Sequence, residues 1–435
     1  MSRNFVDSIY LTFVNFHKGL FNLSKVPQSE RTHIAFIGKR NVGKSSLVNK
    51  FICQDLVIVS DVPGTTTDPV KKSMELLPFG PVVIIDTAGI DDVGELGKKR
   101  INKTIKIISE SDFAVLVLDS QLELSTAEKE LFKYLSENSL PFVAVINKSE
   151  LGINYKLIEQ LNSNNINYLT VSCKTGKGIM ELKEKIQKLL PSDSGISLMH
   201  NLVNKNDVVI MVVPIDTGAP KGRLILPQVQ TIRESLDDDA IVLVVKETQL
   251  KDALDKLSSK PKLVITDSQA IMEVIKDVPT DVALTTFSIL QARYKGDLTG
   301  FIKGLTEIDN LQDGDKILIA EACSHHAQPD DIGRIKIPNW LKSYTKKNLT
   351  IDVSSGNDYP DNLADYKLII HCGGCMITRK TVQTRIRKAK AINIPIVNYG
   401  VLISYLHGAI PRTIEPFTEA ISEWNQLKSQ NKVTT

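Results

Sequence analysis

The sequence Gly-Lys-Arg-Asn-Val-Gly-Lys-Ser at residues 38–45 directly follows the apolar run His-Ile-Ala-Phe-Ile at residues 33–37. Its spacing is GxxxxGKS, and an apolar strand before it with a helical pattern after it is the context that a phosphate-binding loop requires. The two glycines allow the backbone N–H groups to face a phosphate. Lys44 can reach the β- and γ-phosphates, and Ser45 can ligate Mg²⁺. The stretch predicts a nucleoside triphosphate site, although the bare pattern also occurs in ordinary glycine turns.

Apolar runs alternate with helical patterns on both sides of this loop, between residues 33 and 190. This alternation favours a doubly wound α/β domain, in which nucleotide binds at the carboxyl ends of the strands. The predicted strands are 33–37, 82–86, 113–119, 142–146 and 168–171.

Three further motifs follow predicted strands. In Asp-Thr-Ala-Gly, Asp86 can bind Mg²⁺ through water and the backbone N–H of Gly89 can approach a γ-phosphate. In Asn-Lys-Ser-Glu, the Asn147 amide and the Glu150 carboxylate can pair with a guanine edge. The segment Ser-Cys-Lys at 172–174 can complete the base pocket. Four motifs in this order, each at a strand end, predict a GTPase.

The domain resembles the TrmE–Era group of GTPases over residues 33–180. The segment Gly-Thr-Thr-Thr-Asp at 64–68 is similar to the first switch of that group, with Thr66 the favoured Mg²⁺ ligand. Asn41 matches the position at which potassium-dependent members bind a cation. Ile90, directly after the second motif, offers no side chain that could orient the attacking water. The resemblance therefore implies slow hydrolysis, assisted by K⁺.

The predicted nucleotide site combines these motifs. Glu150 stands where the group has Asp, which makes the carboxylate one methylene longer. Lys44, Thr66, Asp86 and Gly89 are predicted to act in hydrolysis, and Ser45 and Thr66 to ligate the metal. The residues predicted to contact GTP or GDP and their cations are Gly38, Asn41, Val42, Gly43, Lys44, Ser45, Ser46, Thr65, Thr66, Asp86, Gly89, Asn147, Lys148, Glu150, Ser172, Cys173 and Lys174.

Bulk composition limits the other classes. Of 435 residues, 42% are hydrophobic and 24% charged, which is ordinary for a globular protein. The net charge of +3 without a long basic block gives no argument for nucleic acid, and no apolar stretch reaches membrane-spanning length. Five cysteines do not make a disulfide framework in a chain of this length. Three of them lie in one C-terminal region, which suggests a metal in a reducing compartment.

Two smaller α/β units are expected after the first. The pattern breaks near residues 190–195, which predicts a linker there. We therefore expect a GTP-binding domain at 26–192, a dimerisation domain at 193–276, a metal-binding domain at 277–420 and a tail at 421–435. The second unit carries no recognisable catalytic residues, so a scaffold or dimerisation role is expected for it, and a ligand-binding fold is the alternative. The predicted strands are 208–213, 241–245 and 263–266 in the second unit, and 316–320, 368–372 and 395–398 in the third.

Cysteine and histidine residues follow two strands of the third unit. Cys323 comes shortly after strand 316–320, and His-Cys-Gly-Gly-Cys at 371–375 ends strand 368–372. Parallel pairing of these strands would bring both groups together. Three thiolates with histidines suit Zn²⁺ or an iron–sulfur cluster, and the ligand types do not decide between them. A redox-active CxxC and buried inert cysteines are the other interpretations.

A GTPase joined to Cys323-Ser-His325 and, about 45 residues later, His371-Cys-Gly-Gly-Cys375 resembles the FeFe-hydrogenase maturation GTPases, the HydF family. The segments at 219–228, 285–288 and 292–297 are also similar to that family, and the resemblance runs from about residue 26 to 415. It implies that the domain at 277–420 binds a 4Fe–4S cluster, on Cys323, Cys372 and Cys375. His371 is the first choice for an exchangeable fourth ligand, with His325 and Glu321 behind it.

The resemblance also implies partners. A family member holds a transient di-iron precursor of the hydrogenase active site, receives it from radical-SAM maturases and passes it to apo-hydrogenase. It is expected to form a homodimer and to bind neither nucleic acid nor membrane.

A ribosome- or tRNA-associated GTPase with a structural zinc is the alternative, because the TrmE–Era group includes RNA-associated members. It would need a basic face, for which Arg379, Lys380, Arg385, Arg387, Lys388 and Lys390 are candidates. A solvated helix face is the simpler interpretation of these side chains.

Residues 1–25 lie outside the resemblance. Their apolar positions follow one helical stripe among few acidic residues, which fits an amphipathic helix or an organellar presequence. The compartment is therefore expected to be a hydrogenosome-like matrix or the cytoplasm.

Overall fold

The computed structural model confirms the α/β class and divides the chain into two compact units, before and after the junction of Leu190 and Pro191. It describes residues 27–53, 69–90, 94–190, 197–214, 224–322, 331–356, 359–360 and 362–433. Residues 1–26, which include the segment 1–25 predicted as a possible presequence, lie outside this range. No helix among the described residues is long and apolar enough to cross a membrane.

The first unit is a six-stranded sheet in the order β2-β3-β1-β4-β5-β6, parallel except for β2. The five strands predicted from the sequence are β1, β3, β4, β5 and β6. The strands are β1 (Thr32–Gly38), β2 (Val70–Leu76), β3 (Gly80–Asp86), β4 (Phe113–Asp119), β5 (Phe142–Asn147) and β6 (Tyr168–Thr170). The helices are α1 (Lys44–Cys53), α2 (Gly94–Ser109), α3 (Thr126–Glu137), α4 (Tyr155–Ser163) and α5 (Ile179–Leu189).

The apolar strands of this sheet are buried on both faces. Ile34 and Phe36 of β1 enter the core on one face, while Ala35 and Ile37 enter the core on the other. A parallel strand between two helical layers has this pattern, which explains the continuous apolar runs in the sequence. The carboxyl ends of β1, β3 and β5 therefore meet at one edge of the sheet, where their motifs lie.

The second unit contains two four-stranded parallel sheets, in the orders β10-β9-β7-β8 and β12-β11-β13-β14. The first comprises β7 (Val208–Val212), β8 (Ile241–Val245), β9 (Leu263–Thr266) and β10 (Ala283–Thr286). The second comprises β11 (Lys316–Ala320), β12 (Thr350–Ser354), β13 (Leu368–His371) and β14 (Ile396–Asn398). The helices are α6 (Leu226–Asp237), α7 (Leu250–Lys256), α8 (Ile271–Asp277), α9 (Phe287–Lys295), α10 (Leu298–Gly304), α11 (Thr306–Asn310), α12 (Ile337–Thr345), α13 (Arg379–Ala391), α14 (Tyr399–Leu406) and α15 (Thr418–Val433).

One hydrophobic core is shared by the two sheets of the second unit. It includes Met211 and Ile265 from the first sheet and Ile317 and Ile369 from the second. The strand β10 lies beyond residue 276, the domain boundary predicted from the sequence, yet it pairs with β9 in the first sheet. Two smaller α/β units were expected, and both sheets are present, but they share one core and the first sheet continues past residue 276.

Candidate nucleotide site and metal site

The phosphate-binding loop is held close to neighbouring strands at both of its glycines. Gly38 has φ +148°, and a Cβ there would lie 2.3 Å from the carbonyl oxygen of Val117 on β4. Gly43 has φ +92°, and its Cβ would lie 2.4 Å from Nδ2 of Asn147. Both positions combine a backbone conformation and a close approach that only glycine tolerates.

Lys44 is the buried cation of this loop. Its Nζ donates hydrogen bonds to the carbonyl oxygens of Gly38 at 3.1 Å and Lys39 at 2.7 Å. Burial lowers its pKa to about 8, and the nearby charge of Asp86 opposes that shift. The side chain therefore lies within the loop, where a phosphate would bring the negative charge that a buried ammonium group favours.

Asp86, at the end of β3, faces the first residues of α1. Burial raises the pKa of its carboxyl group, while a hydrogen bond with Ser45 and the charge of Lys44 lower it. Its Oδ1 is buried and has no hydrogen-bond partner among the described residues. An unpaired carboxylate oxygen beside a serine hydroxyl offers the oxygen ligands that Mg²⁺ prefers.

The second motif packs directly on the phosphate-binding loop. The Thr87 hydroxyl donates to the carbonyl oxygen of Phe36 at 2.8 Å, and Ile90 N donates to that of Gly38 at 3.2 Å. A Cβ on Gly89 would lie 2.6 Å from the Cα of Arg40. A side chain at residue 89 would therefore separate the two loops that are predicted to enclose the γ-phosphate.

Asn147 connects the base-binding motif to two other loops. Its Nδ2 donates to the carbonyl oxygen of Val42 at 2.9 Å, and its Oδ1 accepts from Cys173 N at 3.3 Å. The sequence predicts that this amide pairs with the guanine edge. In the structure the Asn147 side chain also stabilises the site, because its two hydrogen bonds connect the loops that contain Val42 and Cys173.

The remaining base-pocket residues also meet. Lys148 has φ +62° and its Nζ forms an ion pair with Asp119 Oδ2 at 2.6 Å. The exposed Glu150 carboxylate pairs with the Ser172 hydroxyl, which lowers the pKa of Glu150. Asp119 was not predicted as a site residue. It ends β4, and the other predicted site residues also lie at the carboxyl ends of strands, so its position could have identified it. The structure therefore brings residues 147–150 and 172–174 into one cluster.

The other predicted residues of this site are placed as follows. Val42 is buried, Cys173 is half-buried with the pKa of its thiol raised by burial, and Lys174 is exposed. Asn41 is exposed with φ +63°, and Ser46 is exposed at the start of α1. Thr65 and Thr66 lie outside the described residues.

In the second unit, β11 and β13 are adjacent and parallel, with Ala320 paired to His371. This is the parallel pairing that would bring the two cysteine groups together. It places Ala322, which directly precedes Cys323, beside the CxxC loop, defined as residues 372–377. Cys323 and His325 themselves lie outside the described residues.

Cys372 is held in a fixed position. Its Sγ accepts hydrogen bonds from the N–H groups of Ala322 at 3.0 Å and Gly374 at 3.4 Å. Burial raises the pKa of its thiol to about 11, opposed by these two N–H groups and by the charge of Arg385. Two N–H donors directed at one sulfur fit a metal-bound thiolate, whose negative charge they stabilise.

His371 has protein partners on both ring nitrogens. Nδ1 lies 2.6 Å from the carbonyl oxygen of Cys372, and Nε2 lies 3.3 Å from Nη1 of Arg385. Burial and the charge of Arg385 lower its pKa to about 4, so we assign a neutral ring with its proton on Nδ1. Ligation of a metal would require His371 to release one partner, and its role as the fourth ligand stays a prediction.

Glu321 is also engaged. Its Oε2 accepts from Nε and Nη2 of Arg334 at 3.2 Å each and from the Ser355 hydroxyl at 3.3 Å. Among the described residues, no group of three or more histidine, cysteine or acidic side chains is arranged to hold a metal ion. Cys372 and Cys375 are described and are not in a disulfide, and the third predicted thiolate falls in the segment 323–330.

Three protein-family models match successive parts of the chain. Residues 33–148 match a family described as 50S ribosome-binding GTPase. Residues 198–296 match the hydrogen maturase F dimerization domain, and residues 299–416 match the hydrogen maturase F tetramerization domain.

Curated relatives match a shorter part of the chain. GTPase Der of Wolinella succinogenes is 37% identical over 166 residues, which is 36% of this chain and 35% of the relative. The tRNA modification GTPase MnmE of Heliobacterium modesticaldum is 33% identical over 163 residues, which is 37% of this chain and 34% of the relative. The chain thus spans about a third of the length of these relatives.

A solved structure of Aquifex aeolicus Era bound to GDP and aluminium fluoride is 18% identical, with a TM-score of 0.32, and the match covers 49% of this chain and 92% of that one.

Proposed function

Because this chain belongs to the hydrogen maturase F family, we propose that it is a GTP-hydrolysing carrier for the maturation of FeFe-hydrogenase. It holds a 4Fe–4S cluster on Cys323, Cys372 and Cys375. It receives the di-iron precursor of the hydrogenase active site from radical-SAM maturases and delivers that precursor to apo-hydrogenase. The observation that supports the proposal is the parallel pairing of β11 with β13, which places Ala322, the residue before Cys323, against the sulfur of Cys372.

The first unit supplies GTP hydrolysis through residues already close together. Lys44 would stabilise the β- and γ-phosphates, Ser45 and Asp86 would hold Mg²⁺, and the N–H of Gly89 would bind the γ-phosphate. Thr66, which lies outside the described residues, is the further candidate ligand for the metal. Positioning and charge stabilisation of this kind account for most of the catalysis of phosphoryl transfer.

Potassium is the proposed substitute for a water-orienting side chain. Ile90 is buried and presents no polar group to water, whereas Asn41 is exposed at the turn of the phosphate-binding loop. We expect GTP turnover in potassium chloride to exceed that in sodium chloride. Asn41→Gly should reduce turnover in potassium to the sodium level, because glycine keeps the positive φ and removes only the amide.

Phosphate release in the two salts measures this effect. Lys50→Ala, an exposed change on the helix that follows the loop, is the control for a general disturbance and should keep the difference between salts. Equal turnover of the wild-type protein in both salts, or potassium stimulation that survives in Asn41→Gly, would contradict the role given to Asn41.

The second unit would hold the cluster at the CxxC loop. Cys372 is fixed by two N–H donors, and Cys375 follows it on the same loop. When bound, the cluster supplies an iron atom at which the di-iron cargo can be attached and released. His371, His325 and Glu321 remain the predicted candidates for the fourth position.

A homodimer is proposed through β8. This strand has one neighbour, β7, among the described strands, and the side chains of Ile241 and Val244 are 55% and 43% exposed. An edge strand with exposed apolar side chains readily pairs with another chain. A second copy of this chain fits because the matched family models are named for dimerization and tetramerization.

Val244→Lys is expected to halve the molar mass measured by light scattering, because a charge on the edge strand opposes pairing. Met272→Lys introduces a lysine at another exposed apolar position of the second unit, away from β8. This variant should have the wild-type molar mass. A Val244→Lys protein with the wild-type mass would place the interface elsewhere.

Transfer of the precursor tests the proposed function. The protein is produced together with the radical-SAM maturases, purified anaerobically and added to apo-hydrogenase, and hydrogen evolution is measured. We expect activity from this preparation and none from protein produced without the maturases. If the loaded protein does not activate the apo-enzyme, the carrier function is wrong.

The RNA-linked alternative requires a basic face on α13. Arg385 of this helix is buried, and Lys390 is paired with Asp297 at 2.6 Å. These contacts reduce the charge available to a phosphate backbone, and the absence of a nucleic-acid partner stays a prediction. Binding of ribosomal RNA at physiological salt, together with one tightly held zinc ion, would favour the alternative.

The compartment also stays a prediction. N-terminal sequencing of the native protein would show whether residues 1–25 are removed.

A further inference from the structure

We propose that Lys295 and Arg385, here called the buried cation pair, raise the reduction potential of the metal centre held by the CxxC loop. The inference rests on the proposed function, because it concerns the cluster assigned to that loop. Both residues act through their charge and through the groups they hold in place, and neither is proposed as a ligand.

Lys295 lies at the end of α9, and its side chain is 1% exposed. Its Nζ donates hydrogen bonds to two carbonyl oxygens of the CxxC loop, those of Gly374 at 3.3 Å and Ile377 at 3.0 Å. Nε2 of Gln383 donates to the carbonyl oxygens of Lys295 and Gly296 at 3.0 and 2.8 Å, which ties the end of α9 to α13. The ammonium group is therefore fixed against the backbone that carries Cys375.

Arg385 approaches the same loop from α13 and is 4% exposed. Its Nη1 contacts Nε2 of His371, its Nη2 donates to the carbonyl oxygen of Gly356, and its guanidinium group lies over the ring of Tyr359 at 5.0 Å. His371 in turn contacts the carbonyl oxygen of Cys372. A cation is thus connected to the backbone of Cys372 through one neutral imidazole ring.

Buried cations are costly unless negative charge lies nearby. A cluster bound by thiolates is anionic, and its reduced form carries one more electron than its oxidised form. Positive charge beside it therefore stabilises the reduced form more than the oxidised form. Net charge and hydrogen bonds to the sulfurs are known determinants of cluster potential, and Cys372 has both a nearby cation and two N–H donors.

A purely structural role is the competing explanation for these side chains. An uncharged donor could satisfy the same carbonyl oxygens, and the cluster would then keep its potential. Removing the charge while keeping a hydrogen-bond donor distinguishes the two roles. Arg385→Gln and Lys295→Gln both meet this condition, since the glutamine amide donates but has no charge.

The test is an anaerobic redox titration of the reconstituted full-length protein, followed by electron paramagnetic resonance. For Arg385→Gln we expect the ratio of reduced to oxidised cluster at a fixed potential to fall about tenfold. For a one-electron couple, this corresponds to a midpoint potential about 59 mV more negative than that of the wild-type protein. Lys295→Gln should shift the potential in the same direction, and Arg385→Lys should remain near wild type. Arg387→Gln is the matched control, because Arg387 lies on the same helix but is exposed.

Wild-type potentials in both glutamine variants would overturn the inference. If one of the two glutamine variants does not retain the cluster, the potential of the other variant is compared with that of the wild-type protein. If the wild-type protein itself takes up no cluster, the proposed function fails. If the wild-type protein takes up a cluster and the glutamine variants do not lower its potential, only this inference fails.

Discussion

Replacing Lys44 with alanine is expected to lower GTP turnover by about a hundredfold or more, the effect typical of losing one strong charge-stabilising donor. The ammonium group is the buried cation of the phosphate-binding loop, and its two described hydrogen-bond acceptors are backbone carbonyl oxygens of that loop. Phosphate transfer would therefore lose the positive charge placed nearest to the predicted phosphates.

Stability should change little in this variant. Burial already lowers the pKa of Lys44 to about 8, which means that the folded protein disfavours its charged form. Removing the charge relieves that cost and offsets the loss of two hydrogen bonds. Thermal unfolding of Lys44→Ala should therefore resemble that of the wild-type protein, with the loss confined to turnover.

Lys50→Ala is the matched control, because Lys50 is an exposed lysine in the last turn of the same helix. Its phosphate release should equal that of the wild-type protein. Turnover by Lys44→Ala within threefold of the wild-type rate would contradict the assignment of the phosphate site. A transfer assay with the same variant then shows whether GTP hydrolysis is needed for delivery of the precursor.

Replacing Cys372 with serine is expected to remove most of the iron that the protein takes up on anaerobic reconstitution. Serine fits the space and its oxygen can accept the N–H groups of Ala322 and Gly374, so the loop should keep its conformation. A hydroxyl is a far poorer ligand for iron than a thiolate, and clusters of this kind rely on cysteine. The loss should therefore be one of metal and not of fold.

Iron and acid-labile sulfide content measure this loss. Cys53→Ser is the control, since Cys53 belongs to the first unit and the variant should take up iron as the wild-type protein does. Unfolding temperatures of the metal-free proteins should agree. If Cys372→Ser retains the full iron content, the CxxC loop does not hold the cluster.

The motifs that lie in loops directly after strands could be predicted from the sequence. The phosphate-binding loop, Asp86 and Asn147 each follow a strand whose continuous apolar run reflects burial on both faces of a parallel sheet. The same reasoning identifies the two strands that precede the cysteine segments, whereas their adjacency, on which a shared metal site depends, comes from the structure, in which β11 pairs with β13.

Features that depend on tertiary contacts were not predictable in this way. The strand β2 reads Val-Lys-Lys-Ser-Met-Glu-Leu, which has weak alternation because it lies at the sheet edge beside β3. Lys295 and Arg385 are charged residues on helices, which the sequence favours as exposed, and their burial follows only from the packing of α9 and α13 beside the CxxC loop. The partners of His371 likewise come from helix and loop positions far along the chain.

Anaerobic reconstitution of the wild-type protein with iron and sulfide is the most direct test of the central claim, that a GTPase unit is joined to a cluster-holding unit. We predict a brown protein with broad visible absorbance, equal amounts of iron and sulfide, and an electron paramagnetic resonance signal of a 4Fe–4S cluster after reduction. A colourless protein that retains one tightly bound zinc ion and takes up no iron would contradict that claim.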